Sequence, residues 1–396
     1  MGVIFITKTL LQELSPKEIF KDKLIIIVIG TLNGMGGAER QAILLAEHLN
    51  NSGYNVKLLA LSGGDTEQVL KQKNIDYVVY PFDGYQSFTK NIVSLIKLTF
   101  FLRKLKPFAF IPFITLNSKY IGLIWKFTGA KFACWNQRDE GREVYGSRLE
   151  KISANNVPVI ISNSLPGKDA IIKKVGISKN KIKIINNGIE IPSGLTNEVD
   201  WRQLLNLSPQ TKIVSMLASI YKYKDHTTLL KAWKIVLESF CDSPALPVLI
   251  LAGTFKGMEN QLKTLCYDLR IANNVYFIGA TPHTNALIEQ SELVVHSSNK
   301  EGCPNAVLEA MALGKPVVAT SIPGHMQALG ETYGIHCLSS PNDAKDLSDK
   351  MVKVLEDETL SQELGAYNHQ RIIDHFSINQ MVNSYLELIM RYTSNK

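Results

Sequence analysis

The chain has 396 residues, 45% apolar and 20% charged, with 43 Lys and Arg against 36 Asp and Glu. That length exceeds the usual single core and favours two domains, and the mildly basic balance suits anionic small substrates or an anionic membrane without demanding either. Five scattered cysteines with no C-x-x-C pair argue against a disulfide framework or structural zinc, and no apolar run approaches the ~20 residues of a membrane-spanning helix.

The cysteine usage fits a reducing cytoplasm. The opening 1–11 lacks a basic start and a small-residue cleavage site, so it does not read as a signal peptide. Residues 1–22 read as an extension with a short helix over 18–20. The run 23–30 (KLIIIVIG) predicts a buried strand, followed by the glycine loop 31–37 (TLNGMGG) and a helix over 38–49. With the next strand at 56–61 they open a βαβ unit. Gly34 and Gly36 begin a dinucleotide fingerprint, but the third position is Glu39 and strand two ends in Leu61-Ser62 without an acid. A nicotinamide site is therefore disfavoured. Gly34, Gly36 and Gly37 either let backbone amides approach a ligand or serve a tight turn.

A strand at 77–80 and a helix over 91–105 follow. Residues 84–138 contain no Asp or Glu but nine basic side chains, interleaved with Phe and Trp. This fits a surface resting on anionic lipid. It equally fits a core of one helix and two strands whose basic chains snorkel outward. No helix-turn-helix, finger or RNP-like string points to nucleic acid. The strand 132–138 (FACWNQR) leads into Asp139-Glu140-Gly141-Arg142. Ligands gather at the carboxyl ends of strands in open α/β sheets, which makes Arg138, Asp139 and Arg142 acceptor-side or catalytic candidates. Strands at 158–162 and 182–185 and the turn 186–190 close a first domain at about residue 195, with 192–200 as linker.

The second domain, 196–376, restarts with a strand at 212–218, the loop 219–225 and a helix over 226–237. Lys224, just before that helix, suits a diphosphate as a compact point charge beside free amides. Strands at 247–253 and 275–279 flank a helix over 259–270, and the loop 280–283 follows. His283 reads as a solvated loop residue. His296 ends the next strand and is either a ligand contact or a satisfied buried histidine. In 296–324 (HSSNKEGCPNAVLEAMALGKPVVATSIPG), Gly302 and Pro304 break the backbone. Asn305 stands where an N-cap would, ahead of a helix over 306–313, a strand at 315–320 and a glycine turn. The start of such a helix is an anion site, with Glu301 just outside it and Glu309 about one turn in. Helices over 344–355, 360–376 and 379–392 end the chain.

The string Glu301-Gly302-Cys303-Pro304-Asn305, Glu309-Ala310-Met311-Ala312, Gly314-Lys315-Pro316-Val317-Val318-Ala319 and Pro323-Gly324 resembles the donor-sugar motif of the retaining glycosyltransferases of family 4. Gly-Met-Gly-Gly-Ala-Glu-Arg resembles the first loop of the same family. The resemblance implies a GT-B fold: two Rossmann-like domains across a cleft, with the last helix, 377–396, crossing back to the first. It implies Glu301 at the donor sugar, Glu309 at the ribose, and Gly302, Pro304 and the amides of Asn305, Ala306 and Val307 near the diphosphate. It also implies Gly36 and Gly37 facing that diphosphate, Gly253 and Gly279 lining the donor pocket, and the nucleotide base at 280–283. Two departures stand out. Ser219 occupies the donor-side position where the family usually has an arginine, and no histidine lies between His48 and His226 to serve the first domain's site.

A departing diphosphate can be neutralised by a metal on a D-x-D motif, but none occurs in the chain. Helix dipoles and Lys224 are the alternative. The expectation is therefore a metal-independent transfer from a nucleotide-diphosphate sugar, with no further cofactor, to a glycan or lipid-linked acceptor, at the inner face of the membrane. Glu301 and Arg138 are its catalytic candidates. A sugar-nucleotide epimerase and a catalytically silent binding subunit remain alternatives, separable by acceptor dependence and by turnover.

Overall fold

The computed structural model describes residues 16–34, 36–82, 88–192, 194, 199–332 and 334–394. The N-terminal extension before residue 16, the head of the basic stretch at 83–87, Met35 of the glycine loop and most of the linker (193 and 195–198) lie outside the described residues.

The chain forms two compact units, Met1–Gly188 with Ile378–Lys396, and Ile189–Ser377. In the first, seven strands pair in the order β3-β2-β1-β4-β5-β6-β7. They are β1 (Ile25–Ile29), β2 (Val56–Ala60), β3 (Tyr77–Val79), β4 (Ala109–Pro112), β5 (Phe132–Gln137), β6 (Val159–Ser162) and β7 (Ile182–Ile184). Every pair is parallel. A parallel sheet is covered on both faces, which is why β1 reads IIIVI and is buried throughout. One cover is the helix Gly37–Asn51 together with the C-terminal helix Ile378–Thr393, whose Met381, Val382, Tyr385 and Ile389 enter the core beneath β1 and β5.

The other cover corrects a sequence expectation. The stretch read as one helix and two strands holds two helices, Phe88–Lys104 and Thr115–Thr128, around β4 and β5. The second is rich in Thr, Ile, Tyr, Trp and Phe, residues that read as strand, but its position behind the sheet overrides propensity. Its Gly122 packs on the helix Arg148–Asn156 so closely that a Cβ there would meet Ser153 Oγ at 2.1 Å.

The second unit repeats the plan with six parallel strands in the order β10-β9-β8-β11-β12-β13. They are β8 (Ile213–Leu217), β9 (Val248–Ala252), β10 (Val275–Gly279), β11 (Leu293–His296), β12 (Val317–Thr320) and β13 (Leu338–Ser339). From β8 the sheet grows one way through β9 and the other way through β11. Loops leaving adjacent strands at such a reversal diverge and leave a crevice at the carboxyl edge. The loops after β8 and β11 border it.

Candidate functional site

The loop after β8 runs through a short turn of 3₁₀ helix, Lys222–Lys224, to Asp225, which caps the helix His226–Ser239 by accepting from Thr228 N at 3.2 Å. Its neighbour is the loop after β11, and hydrogen bonds tie the two: Asn299 N donates to Tyr223 O (2.8 Å), and Ser297 Oγ lies 3.1 Å from the carbonyls of both Lys224 and Asp225. This lacing brings Lys224 and Glu301, 77 positions apart, into an ion pair between Nζ and Oε1. Ser298 Oγ donates to the same Oε1 at 2.6 Å.

The Glu301 side chain is only 10% exposed and that of Lys224 25%. Burial alone would push the Glu301 carboxyl up, but the Lys224 ammonium, helped by His296 and His325 in their protonated forms, holds it at about 2. The carboxylate is thus an anion at any working pH. Three histidines surround the pair. Burial, reinforced by the Lys224 charge, pushes His226 and His325 down to about 4, and drives His296 well below its ordinary value. All three are neutral near pH 7.

Beyond Glu301 the backbone turns through buried Gly302 and Pro304 into the helix Asn305–Ala312. Asn305 is not its N-cap, as the sequence suggested. Pro304 takes that place in an extended conformation, with no side-chain cap, and Asn305 is the first helical residue. A proline cannot cap through its side chain, so the opening amides of this eight-residue helix receive no bond from the cap position. Val307 points into the core, while Asn305, Ala306 and Glu309 stay half-buried. Pro323-Gly324, read as a turn, instead starts the helix Pro323–Leu329 with proline in its first turn. Gly324 lies against the Glu301 loop, where a Cβ would sit 2.5 Å from Gly302 O and 2.7 Å from Glu301 O. Ser219 and Gly253 meet at the carboxyl edge of β8 and β9. A Cβ on Gly253 would strike Ala218 O at 2.0 Å, and Gly253 N donates to Gly279 O at 2.8 Å. His283 is half-buried, ahead of the helix Thr284–Gln290.

Gly36, Gly37 and Arg138 belong to the first unit. Gly36 caps the helix Gly37–Asn51 without a side-chain bond. Glu39 in that first turn is pushed up by burial, against the pull of its own backbone amide. Arg138, one residue past β5, is 8% exposed. Its guanidinium donates to Asn187 Oδ1 (2.5 Å) and Tyr385 OH (3.3 Å) and lies 5.1 Å from the Phe113 ring. Asp139 accepts from Gly141 N (2.6 Å) and Gln137 Nε2 (2.5 Å), and Arg142 pairs with Glu140 at 2.7 Å.

Sequence reasoning missed His325, Ser298 and Thr320. His325 Nε2 lies 2.9 Å from His296 Nδ1. A ring nitrogen of each histidine and a Glu301 oxygen fall within 4.8 Å of one another, a donor set of the kind that holds a transition metal. Here the two histidines bond to each other, and the carboxylate already holds the Lys224 ammonium, a fixed positive charge that opposes a cation. The first-turn proline was a readable signal for the helix that carries His325.

Residues 198–371 match the family described as Glycosyl transferases group 1, and 35–191 match Glycosyltransferase Family 4. The chain is 25% identical over 367 residues to the capsular polysaccharide biosynthesis glycosyltransferase CapM of Staphylococcus aureus, covering 86% of this chain and 93% of that one. It is 20% identical over 377 residues to the UDP-Gal:alpha-D-GlcNAc-diphosphoundecaprenol alpha-1,3-galactosyltransferase of Escherichia coli, covering 91% and 95%. Anabaena HepE, solved in complex with UDP and glucose, shares the fold at a TM-score of 0.78 and 19% identity, over 93% of this chain and 100% of that one.

Proposed function

The chain belongs to the glycosyl transferases group 1 family, with the two Rossmann-like domains of the GT-B fold, and on that premise we propose that this glycosyltransferase moves a sugar from a nucleotide-diphosphate donor with retention and without a metal. The observation that carries this reading is the Lys224–Glu301 contact at the reversal point of the second sheet. As the bond from the anomeric carbon to the diphosphate breaks, positive charge grows on the sugar and negative charge on the leaving oxygens. An anion and a cation fixed side by side match that polarity. Lys224 and the positive end of the helix Asn305–Ala312 stand in for a divalent ion at the diphosphate. Glu309, one turn along, takes the ribose hydroxyls. The acceptor is a glycan or lipid-linked saccharide, in keeping with the lipid-linked substrate that the Escherichia coli relative's name records.

Contact with an anionic membrane would bring such an acceptor within reach. On the helix Phe88–Lys104 the exposed Ile92, Val93, Ile96 and Phe100 fall at one-turn spacings, with Lys97, Arg103 and Lys104 exposed beside them. Among the described residues no helix is long and apolar enough to cross a membrane.

The test is turnover. UDP-, GDP- and ADP-sugars are first screened for thermal stabilisation, since a bound donor raises Tm by mass action. The stabilising donor is then incubated with acceptor in excess chelator. Transfer undiminished by chelator, with the donor's anomeric configuration kept in the product NMR spectrum, is the expected result. Inverted product, or activity abolished by chelator and restored by a divalent ion, overturns it.

A further inference from the structure

The two buried histidines beside Glu301 form a hydrogen-bonded chain whose proton positions follow from its far end. The Thr320 hydroxyl donates to Ser298 O, so its oxygen can only accept from His325 Nδ1, 3.3 Å away. Thr320 O, 2.7 Å from the same nitrogen, can only accept as well. Both contacts require His325 to carry its proton on Nδ1. In a neutral ring Nε2 is then a bare lone pair, and it must accept from His296 Nδ1–H across 2.9 Å. That proton in turn leaves His296 Nε2 unprotonated, and no donor to it is present among the described residues. The groups facing His296 are Lys224, His325, Glu301 and His226. Enclosure and the Lys224 charge keep both rings of the chain uncharged, so a proton from solvent does not reverse the assignment at neutral pH.

We propose that His325 is a positioning residue, which fixes the His296 tautomer so that His296 Nε2 accepts a hydrogen bond from a hydroxyl of the donor sugar. This rests on the reading above that a nucleotide sugar occupies the Glu301 crevice. A histidine in the other tautomer would present an N–H at Nε2 where His296 presents a lone pair. In the tautomer present here the His296 Nε2 and the Glu301 carboxylate are both acceptors in one cluster of groups, so a ligand must bring the donor. A sugar hydroxyl supplies that donor. Hydrogen or fluorine in its place does not, and fluorine adds a further repelling lone pair. Specificity for one hydroxylated position of the sugar is thereby set 29 residues away from the ring that reads it.

Two measurements test this, and they fail separately. Long-range proton–nitrogen NMR of the 15N-labelled full chain at pH 7, without ligand, is expected to show both His296 and His325 protonated on Nδ1. A His296 proton on Nε2 overturns the inference whatever the enzyme transfers. The second uses deoxyfluoro analogues of the donor that stabilises the protein. One substitution is expected to raise KM roughly tenfold or more in the wild type. That penalty should fall to within about threefold in His325→Phe, whose ring cannot accept the His296 proton. His325→Gln, with an amide oxygen able to accept, should restore it; if the phenylalanine variant does not fold, the NMR assignment of the His296 proton decides the inference. An equal fluorine penalty in wild type and His325→Phe, a penalty that His325→Gln fails to restore, or none in the wild type, overturns the inference. Failure of every nucleotide sugar to bind overturns the reading of the site on which it rests.

Discussion

Two similar parallel sheets place a charged residue at a strand's carboxyl edge, and they treat it in opposite ways. After β5, Arg138 is enclosed by neutral oxygens and an aromatic face, with Asn187 and Tyr385 taking its protons. After β11, Glu301 keeps a partial opening and a full counter-charge, with titratable histidines around it. A cation that is widely shared among neutral dipoles is held rigidly and has little to offer a reaction. A paired anion in a half-open crevice stores polarity that a ligand can use. Burial is common to both charges; the character of their partners is what differs.

The largest expected effect on this contrast comes from acid. His226 and His325 are held at about 4 in the folded chain, against 6.5 when unfolded. Falling pH therefore protonates the unfolded chain first. The stabilisation is whole above 6.5 and lost between 6.5 and about 4, on the order of 3 kcal/mol for each histidine. Glu301 adds to the loss below its unfolded value as pH falls toward 2. Urea titrations between pH 7 and 4.5, read at Trp201 and Trp233 against Trp125 and Trp135, should show the second unit weakening first. Simultaneous loss would erase the distinction. Next in size, Glu301→Ala should cut kcat by about a thousandfold, some 4 kcal/mol of transition-state stabilisation. Near-normal turnover would remove it from the chemistry.

Arg138→Met probes the other side. It removes the guanidinium's bonds to Asn187, Asn136 and Tyr385, and should lower the unfolding free energy of the first unit by about 3 kcal/mol in chemical denaturation. Lost turnover with unchanged unfolding would make Arg138 chemical instead. The smallest effect concerns the surface. Phe100→Ser removes a ring that is 63% exposed and should weaken co-sedimentation with phosphatidylglycerol vesicles by about 1–2 kcal/mol, with donor KM unchanged. Equal vesicle binding by both proteins would detach the apolar face from the membrane.

Much of this was legible in the chain itself. Unbroken runs such as IIIVI and VLILA announce strands buried on both faces, and the glycine loop and the Glu301 string mark the carboxyl edges where ligands gather. What stayed hidden has a common cause. The helix Thr115–Thr128 buries Thr115, Asn117, Ser118 and Thr128 and exposes Phe127, so its two faces do not sort by polarity and helical periodicity is not read from it. His325 gains its meaning from Thr320 and His296, and hydrogen bonds across strand ends leave no spacing rule in one dimension. Arg138 is visible as a charge after a strand, but its neutral partners, 49 and 247 positions away, are not.

The last helix completes the first unit, so the two units end at different times during synthesis. Residues Ile189–Ser377 form one uninterrupted segment, whereas the first sheet lacks Tyr385 and its neighbours until the stretch after Ser377 has been made. The earlier-encoded body therefore waits through translation with apolar surface uncovered, whereas the later-encoded one needs no residue beyond its own stretch. A released chain truncated before Ile378 would carry a protease-resistant second unit tethered to an unfinished first one.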